Sequence, residues 1–421
     1  MKIKLLLLIL SLSLSLVSCK KEQTEKPKEQ PALPNFSNVN LKDVFRKKDG
    51  RIKNEDSIMA VINQYYRTVW EGGDLWGGFL IAKGDKIMYE GYRGFAQDSL
   101  QEPITSTTPL HVASISKSIT AMAVMKLAEA EKLSLNDDLT KFFPNFPYPG
   151  ISVLNLLTQR SGLPKYEYFI DKIDRTAPEL NKQFLTNSDV LNMLVKYKPQ
   201  AARAPDSGFM YCNTNYALLA LIVEKITATP FPEAMKQMVF EPLKMKHSYI
   251  FTEKDLNTAA KSFYNRGPKV HPYDRLDLIY GDKNVYTTPR DLYNFSKALY
   301  SEDFLKPELM SMVFVPYSNE KPGINNYGIG FRMKVYDNGR KLTFHTGWWH
   351  GTNSVFGHLL NSDVTIVSIG NKFSRGPYTA LSLASLFDEY PIEIARLQSA
   401  LGLPPDSANE EADSAAVSEE L

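Results

Sequence analysis

His111-Val-Ala-Ser114-Ile-Ser-Lys117-Ser-Ile-Thr120 is a knot of polar residues at the front of a long apolar run. The run continues through Ala121, Met122, Val124, Met125, Leu127 and Ala128, and between Lys117 and Lys126 it carries no charge, so it reads as a helix buried on most sides. Ser114 and Lys117 are three apart, which puts their side chains on one face of a helix and within reach of each other. A serine hydroxyl is a poor nucleophile until a base takes its proton, and a lysine serves as that base only where its surroundings hold it neutral. At a helix start the free backbone N–H groups also favour a developing oxyanion. The spacing alone also fits a helix start with a solvated lysine. Two further Ser-x-x-Lys copies, Ser18 to Lys21 and Ser318 to Lys321, lack the setting, one in an apolar leader and the other before Pro322-Gly323.

Upstream, Ile58, Val61, Ile62, Tyr65, Tyr66, Val69 and Trp70 form one helical stripe, followed by strands at 78–83 and 86–94 joined by Gly84-Asp85. Downstream, residues 134–300 carry helical patterns at 152–158, 187–197, 213–227, 231–240 and 288–300, the last opened by Thr288-Pro289. After Asn326 strand patterns take over, at 327–336, 341–345, 352–360 and 364–370, with a final helix near 378–398 interrupted by Pro391. This order predicts an α+β fold, an α/β sandwich. One antiparallel sheet is assembled from both ends of the chain and flanked by N- and C-terminal helices, with a large, mainly helical lobe inserted. A site between sheet and lobe is the expectation. No fixed-period repeat is visible, which argues against solenoids and propellers.

The chain of 421 residues has 43% apolar and 23% charged residues, ordinary for a globular protein. Its 49 basic and 47 acidic side chains balance once a leader carrying Lys2 and Lys4 is removed, so no nucleic-acid footprint is expected. That leader, a basic start, the apolar run Leu5 to Leu16 and then Leu16-Val-Ser-Cys19, is similar to a bacterial lipoprotein signal with cleavage before Cys19 and acylation of that residue. The chain is therefore read as 1–18 signal peptide, 19–40 disordered tether, 41–401 catalytic domain with its helical lobe at about 134–300, and 402–421 disordered acidic tail. The tether, rich in Lys, Glu, Gln and Pro, spans roughly 20–25 Å. The expected location is the exported side of a bacterial membrane, outer-membrane and periplasmic or surface-facing, held by lipid. With Cys19 acylated, Cys212 has no disulfide partner.

Two further groups carry chemistry. Tyr211-Cys212-Asn213 precedes the apolar helix at 213–227, where a tyrosine beside the Lys117 ammonium suits a general base and an asparagine amide orients lysine and substrate. The same letters also fit a buried tyrosine followed by a helix cap. His345-Thr346-Gly347-Trp348 ends a predicted strand, where glycine permits close approach and a backbone N–H is available to an oxyanion.

Ser114-x-x-Lys117, Tyr211-x-Asn213 and His345-Thr346-Gly347, in that order and 97 and 134 residues apart, resemble the three motifs of the serine β-lactamase and penicillin-binding protein superfamily. The likeness is to class C β-lactamases and to the related esterases and D-stereospecific peptidases. It extends from about Gly77 to Leu386, through Asn155-Leu-Leu-Thr-Gln-Arg-Ser-Gly-Leu-Pro164 and Phe240-Glu-Pro-Leu-Lys-Met-Lys246. The resemblance implies a β-lactamase/transpeptidase-like fold, an acyl-enzyme on Ser114, and proton transfer shared by Lys117 and Tyr211. It further implies an oxyanion hole from the N–H groups of Ser114 and Trp348, and substrate binding by Asn213, His345, Thr346, Gly347 and Trp348. No metal or cofactor is implied. The expected partner is a small-molecule or short-peptide substrate of cell-wall type, hydrolysed at an ester, amide or D-amino-acid peptide bond by a monomer. β-Lactam hydrolysis or D-Ala-D-Ala carboxypeptidase action is the alternative within the same chemistry, and a catalytically silent ligand-binding lipoprotein is the alternative outside it.

Two positions depart from the family pattern. His345 stands where many members have lysine, which predicts weaker recognition of a substrate carboxylate, since an ordinary histidine is mostly neutral above pH ~6.5. Thr158-Gln159-Arg160 stands where Thr-His-Thr is frequent, which leaves the local pocket open. Trp348 and Trp349 are expected to wall an apolar pocket, with His350 as a further acid or base candidate.

Overall fold

The computed structural model describes residues 54–173 and 177–403. The expected signal peptide, Cys19, the tether and the acidic tail beyond Leu403 lie outside the described residues.

Helix α1 (Glu55–Tyr65) starts at Asn54, whose side chain accepts from the Asp56 N–H at 2.9 Å, and runs on as a wider turn over Tyr66–Glu71. The apolar stripe read from the sequence is its buried face, through Ile58, Val61, Ile62, Tyr65, Tyr66 and Trp70. The hairpin β1 (Gly77–Lys83) and β2 (Lys86–Arg93) turns at Gly84, with φ +54°. A short strand β3 (Leu110–His111) then leads through a turn into α2 (Ser116–Glu129).

The inserted lobe contributes α3 (Asn187–Tyr197), α4 (Asn213–Thr227), the two short strands β4 (Tyr249–Ile250) and β5 (Val285–Thr287), and α5 (Pro289–Tyr300). Thr288 caps α5 by accepting from the Asp291 N–H at 3.1 Å, with Pro289 in the first turn, as its dipeptide predicts. The chain then lays down β6 (Asn325–Tyr327), β7 (Arg332–Val335), β8 (Lys341–Trp349), β9 (Thr352–Leu359) and β10 (Val364–Gly370), and ends in α6 (Pro391–Ala400).

The main sheet has the order β2-β1-β10-β9-β8-β7-β6 with every neighbour antiparallel. The first hairpin meets the last strand, Gly77 opposite Gly370 and Lys83 opposite Val364, so the sheet is closed from both chain ends as expected. Alternation sorts its side chains into two cores. Phe79, Ile81, Leu342, Phe344, Val355 and Ile366 pack with α1 and the C-terminal helices. Leu80, Ala82, Phe356, Val367 and Ile369 pack with α2 and the lobe. No helix of the described residues is long and apolar enough to cross a membrane.

Three sequence expectations are corrected. The single strand expected over 327–336 is two, because the chain leaves the ladder at Gly328–Phe331 to cover α2. There Gly330, at φ +77°, accepts from Ser118 Oγ at 2.6 Å, and a β-carbon on it would stand 2.6 Å from Ala121 Cβ. The strand expected to end at His345 runs to Trp349, held by backbone pairing with β9 rather than by any alternation of side chains. The helix expected over 378–398 is a 3-10 segment, Gly376–Leu386, and then α6, with Pro391 in the first turn. The small sheet β3-β5-β4 has two or three residues per strand, too few to show a period.

Three histidines are buried in this fold: His111, His345 and His358. Burial pushes His111 and His358 down to about 3 and His345 well below its ordinary value. Between these values and ~6.5 the unfolded chain binds protons that the folded chain does not, so stability rises with pH up to ~6.5 and is complete above it. At pH 5 His111 and His358 each cost about 2 kcal/mol. Urea unfolding midpoints are expected to fall between pH 7 and pH 5, less steeply in His358→Gln; midpoints independent of pH across that interval would contradict this burial.

Candidate active site

The nucleophile candidate sits in a turn tied down on three sides. Ala113 is in the left-handed region at φ +47°, a strained conformation for alanine that lifts the next residue out of the helix path. The Val112 N–H donates to Val285 O at 3.1 Å, the Val285 N–H donates to Ser116 Oγ at 3.0 Å, and Ser354 Oγ donates to Val112 O at 2.8 Å. The polar knot of the sequence is thus a set of anchors, completed by Thr120 Oγ1 donating to Gly281 O at 2.8 Å.

Lys117 is fully buried, and its Nζ donates to Ser114 Oγ at 2.9 Å and to the backbone oxygen of Asp282 at 2.8 Å. The same nitrogen lies 4.9 Å from the centre of the Tyr211 ring. The solvated-lysine alternative is therefore excluded, and Asp282, invisible in the motifs, is one of the groups that aim the amine.

Cys212, just before α4, is extended (φ −146°, ψ 117°), so Tyr211 and Asn213 project to one side while the Cys212 thiol is buried on the other. Gln159 holds this segment: its Oε1 accepts from the Cys212 N–H at 3.0 Å and from Asn215 Nδ2 at 2.7 Å. The departure at Gln159 thus leaves no gap, because the glutamine is wholly buried and acts as the buttress of Tyr211 and Asn213. Arg160 anchors the same loop through Asp206, at 2.5 Å, and Glu320. Asn213 does not cap α4; its Nδ2 donates to Glu167 Oε1 at 3.2 Å.

His345, Thr346 and Gly347 lie within β8, opposite Phe356, Val355 and Ser354. A β-carbon on Gly347 would fall 2.2 Å from Val112 O and 3.1 Å from Ser114 N, so only glycine lets β8 run this close to Ser114. His345 is buried, and its Nδ1 donates to Thr346 O at 2.7 Å, which leaves Nε2 to accept from Tyr327 OH at 3.2 Å. Burial, with the Arg332 guanidinium and the Lys117 side chain nearby, holds it neutral.

The two tryptophans do not wall one pocket together. Adjacent strand residues face opposite ways: Trp348 is 65% exposed, whereas Trp349 Nε1 donates to Asp277 Oδ1 at 2.6 Å. His350 joins the same carboxylate, its Nε2 3.0 Å from both Asp277 oxygens, and makes none of the contacts around Ser114 described above. Asp274, Asp277 and His350 bring possible metal-ligand atoms within 4.8 Å of one another, but Asp277 already serves Trp349 and His350.

One charged group missed in the sequence belongs here. Arg332, on β7, places its guanidinium carbon 4.9 Å from the centre of the Tyr211 ring, and its Nε is buried without a partner among the described residues. A lone arginine within a strand pattern carries no motif, so only the sheet order brings it to the site.

Related proteins agree with this arrangement of sheet and lobe. Penicillin-binding protein 4* of Bacillus subtilis (strain 168) is 26% identical over 323 residues, covering 73% of this chain and 70% of its own. Teichoic acid D-alanine hydrolase of Staphylococcus aureus (strain MRSA252) is 25% identical over 303 residues, covering 70% of this chain and 68% of its own. Among solved structures, a penicillin binding protein from Bacillus halodurans superimposes with TM-score 0.67 at 26% identity, covering 76% of this chain and 97% of its own. The fold is that of β-lactamases and transpeptidases, and with the Beta-lactamase family model matching residues 62–386, the chain belongs to that family.

Proposed function

We propose that the chain is a serine hydrolase that forms an acyl-enzyme on Ser114 and cleaves a short D-amino-acid-containing peptide, ester or amide. The observation that carries this is the 2.9 Å contact between Ser114 Oγ and the buried Lys117 Nζ. Ser114 Oγ attacks the substrate carbonyl while its proton passes to the Lys117–Tyr211 pair. The tetrahedral oxyanion is held by the N–H groups of Ser114 and Trp348, and collapse expels the leaving group, which takes up the proton. Water, deprotonated by the same pair, then attacks the acyl carbon and returns Ser114 as the free hydroxyl. Gly347 lets β8 pack directly against the Ser114 turn, which keeps the two N–H groups together, and Asn213 orients the acyl part.

Arg332 favours the carboxypeptidase form of this reading over the simple esterase form. His345 is neutral and offers no charge to a carboxylate, but the guanidinium over the Tyr211 ring does. The weaker carboxylate recognition inferred from His345 is thereby offset by a residue thirteen positions earlier. A panel of p-nitrophenyl esters, D-alanyl dipeptides and a chromogenic cephalosporin tests this. Arg332→Ala is expected to lower kcat/KM by about 10–100-fold for substrates with a free carboxylate on the leaving group, and by less than threefold for neutral esters. Equal losses on both would reject a carboxylate-binding role.

We also propose that the chain is lipid-anchored at Cys19 to a bacterial membrane, on the strength of the leader pattern. Palmitate labelling of the full chain in the cell, lost in Cys19→Ala, checks this; labelling retained in that variant rejects it.

A further inference from the structure

Beside the nucleophile lies a set of acceptors that the mechanism above leaves unused. Because Glu167 Oε1 accepts a hydrogen bond from Asn213 Nδ2 at 3.2 Å, the amide is held with its oxygen free. Asn213 Oδ1 and Glu167 Oε2 are both buried, and neither has a hydrogen-bond partner among the described residues. A third such atom is Oδ1 of Asp282, a residue with no exposed surface whose backbone oxygen receives Lys117 and whose Oδ2 accepts from Tyr166 OH at 2.7 Å. Buried acceptors without donors are costly and call for a ligand that supplies N–H groups.

The donor count separates two substrate classes. The nitrogen of an N-acylated residue offers one N–H and brings a carbonyl oxygen with it, which here would face the Glu167 carboxylate. A primary ammonium offers three N–H groups and a positive charge. We propose that Glu167 and the Asn213 oxygen form a subsite for a primary ammonium on the acyl side of the substrate, so that the groups transferred to Ser114 come from amino acids with unblocked α-amines.

This rests on the acyl-enzyme reading and deepens it. Burial and the Asp282 carboxylate push the Glu167 carboxyl above its ordinary range, against its own backbone N–H and the nearby Lys117 and Lys165 side chains, and a bound ammonium reverses that cost. Arg332 stacks on Tyr211 and Glu167 bonds Asn213, so a cation and a carboxylate meet the two residues of one motif.

Calorimetric binding to Ser114→Ala tests the subsite without turnover. D-Alanine p-nitroanilide is expected to bind at least ~10-fold more tightly than its N-acetyl derivative, as charge-assisted hydrogen bonds require. Glu167→Gln in the same background is expected to bring the two within about twofold of each other. Equal or reversed affinities in Ser114→Ala, no measurable binding of the free amine, or a preference that survives Glu167→Gln would each overturn the proposal. If Glu167→Gln does not fold, the Ser114→Ala comparison decides alone, since it leaves Glu167 untouched. Failure of the underlying hydrolase reading would show separately, as p-nitroaniline release that persists in Ser114→Ala.

Discussion

Ser114→Ala is expected to lose fluorophosphonate labelling entirely and to lower ester turnover at least ~10³-fold with the melting temperature unchanged. Its side chain makes one contact of note, with Lys117, so its removal leaves the turn anchored by Val112, Ser116 and Ser354 in place. Lys117→Met should give a loss of similar size, because the amine is the group within proton-transfer distance of Ser114 Oγ, but at a price in stability. The methionine leaves the Asp282 carbonyl without its donor, a cost of about 1–3 kcal/mol. Ser318→Ala is the control. That serine heads an identical Ser-x-x-Lys, yet it lies in a loop where its backbone N–H donates to Asn326 Oδ1 at 2.8 Å. Labelling of Ser114→Ala equal to wild type would remove the serine-nucleophile reading altogether.

Glu393→Ala should produce the largest loss of stability among single substitutions outside the site. Lys334 Nζ donates to Glu393 Oε1 at 2.6 Å, with the two side chains 2% and 1% exposed. The bond joins β7, the strand that carries Arg332, to α6. Removing the carboxylate breaks a buried ion pair, and such breaks cost about 3–5 kcal/mol. The melting temperature should drop on the order of 10 °C. Replacing both residues with apolar ones, Lys334→Met with Glu393→Leu, should recover most of it, since a buried pair repays little beyond its own desolvation. A single variant that melts within 2 °C of wild type, measured by scanning calorimetry, would show that the pair is not structurally important.

Much of this protein was legible before any coordinates. The spacing of apolar residues marked α3, α4 and α5 almost to the residue and the buried face of α1 with the turn after it, because amphipathic helices and caps such as Thr288 are local features. The order of elements predicted a sheet closed from both chain ends, and β1 against β10 closes it. Three motifs named Ser114, Lys117, Tyr211, Asn213 and His345 to Trp348, and the fold brings Ser114, Lys117, Tyr211 and Gly347 into mutual proximity.

The errors and omissions share one cause. Strand continuity through Gly347, the break at Gly330, the buttress at Gln159, and the charges of Arg332, Glu167 and Asp282 depend on contacts between distant segments, and no local period encodes them. The sequence by itself determined the contact between Ser114 and Lys117 on which the proposed acyl transfer rests, since two residues three apart at the start of a buried helix are a local matter. Which charges surround that contact was decided only by the tertiary structure, because Arg332 and Glu167 reach the site from a strand and a short helix 165 positions apart.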